Sequence, residues 1–298
     1  MNTANIKETD IVKEELTAIG REALAGCEKL TAITVPNSIV FIDENVFTDC
    51  ENLVAINVAE DNKHYCSIDG VLFNKDRTTL IRYPSGKRNE SYTVPDNIEI
   101  IGERAFRGCQ NLTSINIGSR VKTVDERAFM VCDNLTAVNV AENNKHYSSI
   151  DGVLFNKNKT ILIQYPCGKT DRSYIIPDSV KTIRNVFLYC DNLISITIGG
   201  GVTVIDGAIF GCENLVAINV AENNKHYSSI DGVLFNKDKT VLIQYPDGKT
   251  DRSYIVPNSV KTIHDTFQFC ENLISITIPK DAIIDEVSLP KNCIIHRQ

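Results

Sequence analysis

The string NVAENNKHYSSIDGVLFNK at positions 139–157 returns without a change at 219–237, and a looser copy, AEDNKHYCSIDGVLFNK, stands at 59–75. Repetition at a fixed period constrains a fold more than any composition value, because it is the signature of stacked units rather than of one globule. Aligning the chain on cysteine extends the pattern to seven segments. Examples are NVFTDCENLVAINVA (45–59), RAFRGCQNLTSINIG (104–118) and DTFQFCENLISITIP (265–279), which share Phe-x-x-Cys-x-x-Leu-x-x-Ile-x-Ile/Val. The cysteines at 27, 50, 109, 132, 190, 212 and 270 are separated by 23, 59, 23, 58, 22 and 58 residues. Short and long coils therefore alternate, as three supermodules of about 80 residues and the start of a fourth. No single unit can bury its own apolar face, so neighbours must stack into a continuous core.

Within a unit, LTSINI or LISITI alternates apolar and polar residues at period two and is β-branched, which predicts a short strand with one buried face. Stacking places these strands in a parallel sheet. The prolines at 36, 95, 177, 257 and 279 lack a ladder donor and mark the end of the strand, where a turn is expected. An apolar pair follows (Ile39/Ile42, Ile98/Ile101, Val180/Ile183, Val260/Ile263), then Phe-x-x-Cys. Its spacing of three puts ring and thiol on one side of a single helical or 3-10 turn.

VPDNIEIIGERAFRGCQNLTSINI at 94–117 carries nearly every residue of the BspA-type leucine-rich repeat pattern, and the resemblance extends over about residues 16–279. Departures include Leu24 in place of Phe, glycines at 199–201 in place of the Pro turn, and Phe210, which lies one residue closer to its cysteine than the pattern asks. The fold expected is a mainly β leucine-rich-repeat solenoid with short helical or 3-10 turns, stacked parallel strands and three inserted β-hairpins. Expected boundaries are a cap or lead at 1–15, one solenoid at 16–279 with insertions near 59–93, 141–175 and 221–255, and a degenerate cap at 280–298. The resemblance also implies a surface or secreted, adhesin-like role in a host-associated microbe.

Charge narrows the partners. A net charge of −7 without a Lys/Arg-rich block lacks the footprint of a nucleic-acid binder and disfavours anionic membranes. No stretch approaches the roughly 18 unbroken apolar residues of a membrane span, so no membrane insertion is expected. The opening segment MNTANIKETDIVKEELTAIG has no apolar leader core. On these residues alone cytoplasmic residence stays open, whereas the resemblance implies the cell surface.

Seven of the ten cysteines hold one repeat position, and none forms the clustered pairs of a metal site, so a ladder of buried thiols is expected. Bridging is disfavoured because stacked Cβ vectors run parallel. Cys66, Cys167 and Cys293 lie off the ladder. His64, His146 and His226 recur about 80 residues apart, too far for any two to share an ion, and read as solvated surface. No cofactor, metal or catalytic motif is expected.

The insertions contain IDGVLFNKDRTTLIRYP (68–84) and its copies at 150–166 and 230–246, two β-rich runs about a polar NKDKT-type loop. This predicts a hairpin with apolar groups on both faces, which must pack against the solenoid flank. Nine tyrosines fall in or beside these insertions. Tyr65, Tyr83, Tyr147, Tyr165, Tyr227 and Tyr245 are candidate ligand contacts, since Tyr offers apolar area with a polar tip. The alternative, preferred for Tyr83, Tyr165 and Tyr245, is that the rings cover the joint between hairpin and coil. The sheet offers a second surface through Ser114, Asn116, Asn139, Ser195 and Thr197. The leading function is a non-enzymatic module recognising protein or glycan; a structural spacer is the runner-up, and an enzyme the least expected.

Overall fold

The computed structural model describes residues 9–11, 15–207, 209–264, 266–284, 289–291 and 293–298. The chain packs as two units, one of residues 1–158 and 164–168, the other of 159–163 and 169–298. In both, the β-branched runs form parallel ladders. In the first unit Ala32–Val35 pairs with Ala55–Val58, and Ser91–Thr93, Ser114–Ile117 and Ala137–Val140 form a three-stranded sheet. In the second, Ser173–Ile175, Ser195–Ile198 and Ala217–Val220 form one sheet, and Ser253–Ile255, Ser275–Ile278 and Ile294–Arg297 another. The inner positions Ile33, Ile56, Ile115, Val138, Ile196, Ile218 and Ile276 are buried, as the period-two pattern requires. The expected lead over 1–15 lies outside the described residues, apart from Thr9–Ile11, which pairs with the strand at Ala32, and Glu15.

The proline turns form as expected: the N–H groups of Ile39, Ile98, Val180, Val260 and Ala282 each donate to the carbonyl of the proline three residues earlier. Beyond the turn the structure adds an element the apolar pair did not announce. Short strands build a second set of parallel ladders, Phe41–Ile42 pairing with Ala18–Ile19 and Ile100–Ile101 with Thr123–Val124, with Ile42 and Ile101 turned inward.

The Phe-x-x-Cys segment is a single turn in the first unit, as expected, and departs from it at two places in the second. Among the described residues it is nowhere a helix. In the first unit it is a turn with hydrogen bonds three residues apart, such as Cys109 N–H to the Phe106 carbonyl at 3.2 Å. It also bonds coil to coil, through Phe106 N–H to the Ala128 carbonyl at 2.9 Å, and Phe106 and Phe129 stack at 5.6 Å. In the second unit two of the segments are extended, Phe187–Leu188 pairing with Ile209–Phe210, while Phe267–Cys270 keeps the turn, Cys270 N–H donating to the Phe267 carbonyl at 3.0 Å. That register puts Ile209, buried, opposite Phe187, and leaves Phe210 half-exposed. The missing residue before Cys212 thus exchanges a ring for a smaller side chain.

The insertion is also larger than a two-stranded hairpin. Tyr65–Ile68, Val71–Asn74 and Thr79–Arg82 form an antiparallel meander, and its third strand joins the second ladder through Leu80 and Ile101. Tyr227–Ile230, Val233–Asn236 and Val241–Gln244 repeat this in the second unit and join Thr262–Ile263. Val71, Leu72 and Phe73 are all buried, which explains why both faces of the run are apolar.

Candidate binding surfaces

The repeated string does its work inside the fold. Its asparagine, at 62, 144 and 224, is buried. Asn144 donates from Nδ2 to the carbonyls of Gly118 at 2.8 Å and Val121 at 3.0 Å, while its Oδ1 accepts from the N–H groups of His146 at 2.7 Å and Tyr147 at 2.8 Å. Asn62 and Asn224 make the same four bonds to their own loops. All four of the side chain's hydrogen-bonding directions are filled, which is what a buried amide requires.

Two more groups of the insert close strand edges. Gly70 and Gly152 accept from the N–H groups of Ile56 and Val138 at 2.8 Å, and Ser67 and Ser149 accept through Oγ from Val58 and Val140 at 3.1 Å. The N–H groups that would pair with a following coil are thereby satisfied, and the sheet stops there. Tyr65, Tyr147 and Tyr227 do the same for the second ladder. Their hydroxyls accept from the N–H groups of Ile42, Val124 and Ile205 at 3.0, 2.8 and 3.1 Å and donate to the carbonyls of Val40, Lys122 and Thr203. Burial raises the pKa of all three phenols, against a smaller lowering by the donated N–H.

Tyr83, Tyr165 and Tyr245 are fully buried, so the expectation that they contact a ligand is corrected: no partner can reach them. Tyr83 packs edge-on against Tyr92 at 4.8 Å and lies 5.6 Å from Phe106; Tyr245 has the same relation to Tyr254 and Phe267. Burial pushes the hydroxyls of Tyr83 and Tyr245 well above the ordinary phenol range.

The ten cysteines are free thiols, and the seven of the repeat position are buried. Cys50, Cys132 and Cys212 point Sγ at the carbonyls of Leu24, Phe106 and Phe187, each at 3.0 Å, so the column is a coil-to-coil hydrogen-bonded ladder. Burial pushes Cys50 up to about 11 and Cys109 to about 12, which keeps both protonated and unreactive at neutral pH. His64, His146 and His226 are exposed.

Two buried charges escaped the sequence reading. Arg82 donates to the carbonyls of Arg104, Phe47 and Arg107 at 2.7, 3.1 and 3.0 Å, with no ion pair to a carboxylate among the described residues. Gln164 and Gln244 occupy the same position in the other copies. Asp247 stands where the first two copies have Ser85 and Cys167, and accepts from Cys212 N–H at 3.2 Å. Burial raises its pKa to about 6, against smaller lowering by the N–H groups of Cys212 and Gly211.

The outer face of the sheets is different. In the first unit Thr93, Asn116 and Asn139 stand in register, Asn116 Nδ2 donating to Thr93 Oγ1 at 3.2 Å and Asn139 Nδ2 to Asn116 Oδ1 at 3.0 Å. Ser114 lies half-buried between Ser91 and Ala137. In the second unit Thr197 lies between Ile175 and Asn219, and Ser195 between Ser173 and Ala217. Ile175 is 70% exposed on this face, and Ile255, its counterpart beside Thr277, 67%. Here the polar row gains an apolar end.

No helix among the described residues is long and apolar enough to cross a membrane. No curated protein matches the chain. A leucine-rich repeat protein from Eubacterium ventriosum is similar in structure, with 23% identity over 99% of this chain and 73% of its own, at a TM-score of 0.54. A leucine rich cell surface protein from Faecalibacterium prausnitzii is 19% identical over 95% of this chain and 83% of its own, at a TM-score of 0.50. Both show the solenoid fold. The family model described as the BspA type leucine rich repeat region matches in six copies, over residues 1–86, 82–170, 165–241 and 247–295. With that match over most of its length and the buried cysteine column at seven repeat positions, the chain belongs to the BspA-type leucine-rich repeat family.

Proposed function

We propose that the chain is a non-enzymatic recognition module of the cell surface or the secreted fraction, which binds a protein or glycan ligand through the outer face of its sheets. One observation carries the choice of face. The tyrosine hydroxyls and buried asparagines of the inserts are consumed by backbone groups, whereas Asn116, Asn139, Asn219 and Ile175 stand on an ordered surface and cover nothing in the core. A parallel ladder presents such groups at about 4.8 Å per strand without the entropy cost of ordering a loop. Repetition of the face adds avidity toward a repetitive partner. Family membership and the printed description of the Faecalibacterium relative as a cell surface protein support the location.

The test is a panel of immobilised extracellular-matrix proteins and host glycans probed with the full chain and with the double variant Asn116→Arg/Asn139→Arg. Saturable binding that the double variant loses while keeping its melting temperature supports the reading. Binding untouched by the variant moves recognition off this face, and a chain that binds nothing on the panel favours the spacer.

A further inference from the structure

The three Lys-His-Tyr segments have the same residues but different surroundings. Beside Lys145 and His146 the preceding loop supplies Arg120 and Lys122; the corresponding residues are Ser38 and Val40 in the first copy and Gly201 and Thr203 in the third. In the first unit these side chains, with Asn143 and Glu99, line a groove of about 410 Å³. That volume lies within the roughly 300–1,000 Å³ of small-ligand sites. We propose that this groove binds a sulfate group of a sulfated saccharide.

Four properties of the groove lead there. Three cations face one carboxylate, and that carboxylate is already engaged: Lys122 Nζ lies 2.8 Å from Glu99 Oε2. Arg120 and Lys145 make no ion pair among the described residues and are exposed, so a positive charge is left for a ligand. Arg120 brings a planar fork that matches the paired oxygens of a sulfate or carboxylate.

No apolar side chain lines the groove, and the exposed amide of Asn143 can donate to and accept from hydroxyls. Such a lining suits a hydroxyl-rich ring and offers nothing to an apolar peptide side chain. The chain's net charge of −7 works against a long polyanion, so a short acidic saccharide fits better than nucleic acid. The rim is also rigid, because Asn144 ties the loop carrying Arg120 and Lys122 to the segment carrying Lys145. A ligand therefore meets the cations already placed.

The inference rests on the reading of the chain as a recognition module and adds to it a second site, apart from the outer face of the sheets, with its own ligand class. The experiment is calorimetric titration of the full chain with a heparin-type sulfated hexasaccharide and with its desulfated form. Variants are Arg120→Ser/Lys122→Thr, which installs residues that the other two copies carry at these positions, together with Lys145→Ser and Lys225→Ser. The sulfated probe is expected to bind, to weaken as salt rises, and to lose affinity roughly tenfold in Arg120→Ser/Lys122→Thr at an unchanged melting temperature. Lys145→Ser is expected to weaken it and Lys225→Ser to leave it unchanged.

Equal binding by parent and double variant, equal binding of the desulfated probe, or equal loss in Lys145→Ser and Lys225→Ser overturns the proposal. So does a groove that ignores the hexasaccharide and takes a phosphoserine peptide instead. Failure here, with matrix-ligand binding still lost in Asn116→Arg/Asn139→Arg, leaves the recognition reading standing.

Discussion

The side-chain amide of Asn144 reaches back 23 positions in the chain to donate to the carbonyl of Val121 at 3.0 Å, and from there it holds the whole entry to the insert. Its second donor takes Gly118, and its carbonyl takes the N–H groups of His146 and Tyr147. Replacing it leaves two buried carbonyls and two N–H groups without partners. Asn144→Ala is therefore expected to cost about 3 kcal/mol or more, since each unsatisfied buried group costs roughly 1–3. Asn143→Ala, an exposed neighbour, is expected to stay within about 0.5 kcal/mol. Thermal unfolding of the two variants beside the parent checks the contrast; equal small shifts would remove the structural role of Asn144.

Gly152 forms a two-residue turn with Asp151, both with positive φ, 48° and 78°. A Cβ added at Gly152 would lie 2.8 Å from the backbone of Ala137. Gly152→Ala combines steric overlap with left-handed backbone and is expected to destabilise by about 2 kcal/mol or more. Asp151→Asn, which tolerates the same φ, is expected to be nearly silent in the same unfolding measurement.

Asp247 makes stability depend on pH. Its folded pKa, about 6, lies above the ordinary carboxyl value of 3.8, so the folded chain holds the proton more tightly. This contribution is complete below the unfolded pKa and is lost as pH rises through 6. Asp247→Ser, the residue of the first copy, removes it. The variant is expected to gain on the parent by about 2–3 kcal/mol between pH 4 and pH 7, at roughly 1.4 kcal/mol per unit. Parallel stability profiles for the two proteins over that range would contradict the buried, titrating carboxyl.

The sequence made the solenoid legible because its determinants are periodic. Ile115 and Ile117 alternate with Ser114 and Asn116 as a half-buried strand must, and each Pro turn sits at one offset from its strand. What was not legible depended on partners far along the chain. Ile39/Ile42 and Ile98/Ile101 each read as an isolated apolar pair because two residues are too few to show strand alternation, and only stacking places Ile42 and Ile101 in short paired strands. The polar NKDKT loop marks only one turn of the meander; Asp69-Gly70 carries the stronger local turn signal and adds the strand Tyr65–Ile68. Tyr147 could not be told from a surface recognition residue, since its role is set by an N–H 23 positions earlier.

The tyrosines Tyr65, Tyr147 and Tyr227 of the repeated insert are architecture, built to close the edges of the second ladder. Amide hydrogen exchange of Val124 measures this directly, because its N–H is held by the Tyr147 hydroxyl at 2.8 Å. Exchange at Val124 is expected to be slow in the parent and to speed up locally, by about tenfold or more, in Tyr147→Phe, as loss of roughly 1.4 kcal/mol at one bond implies. An amide that exchanges freely in the parent, or at one rate in both proteins, would contradict the account and return Tyr147 to the surface as a candidate contact.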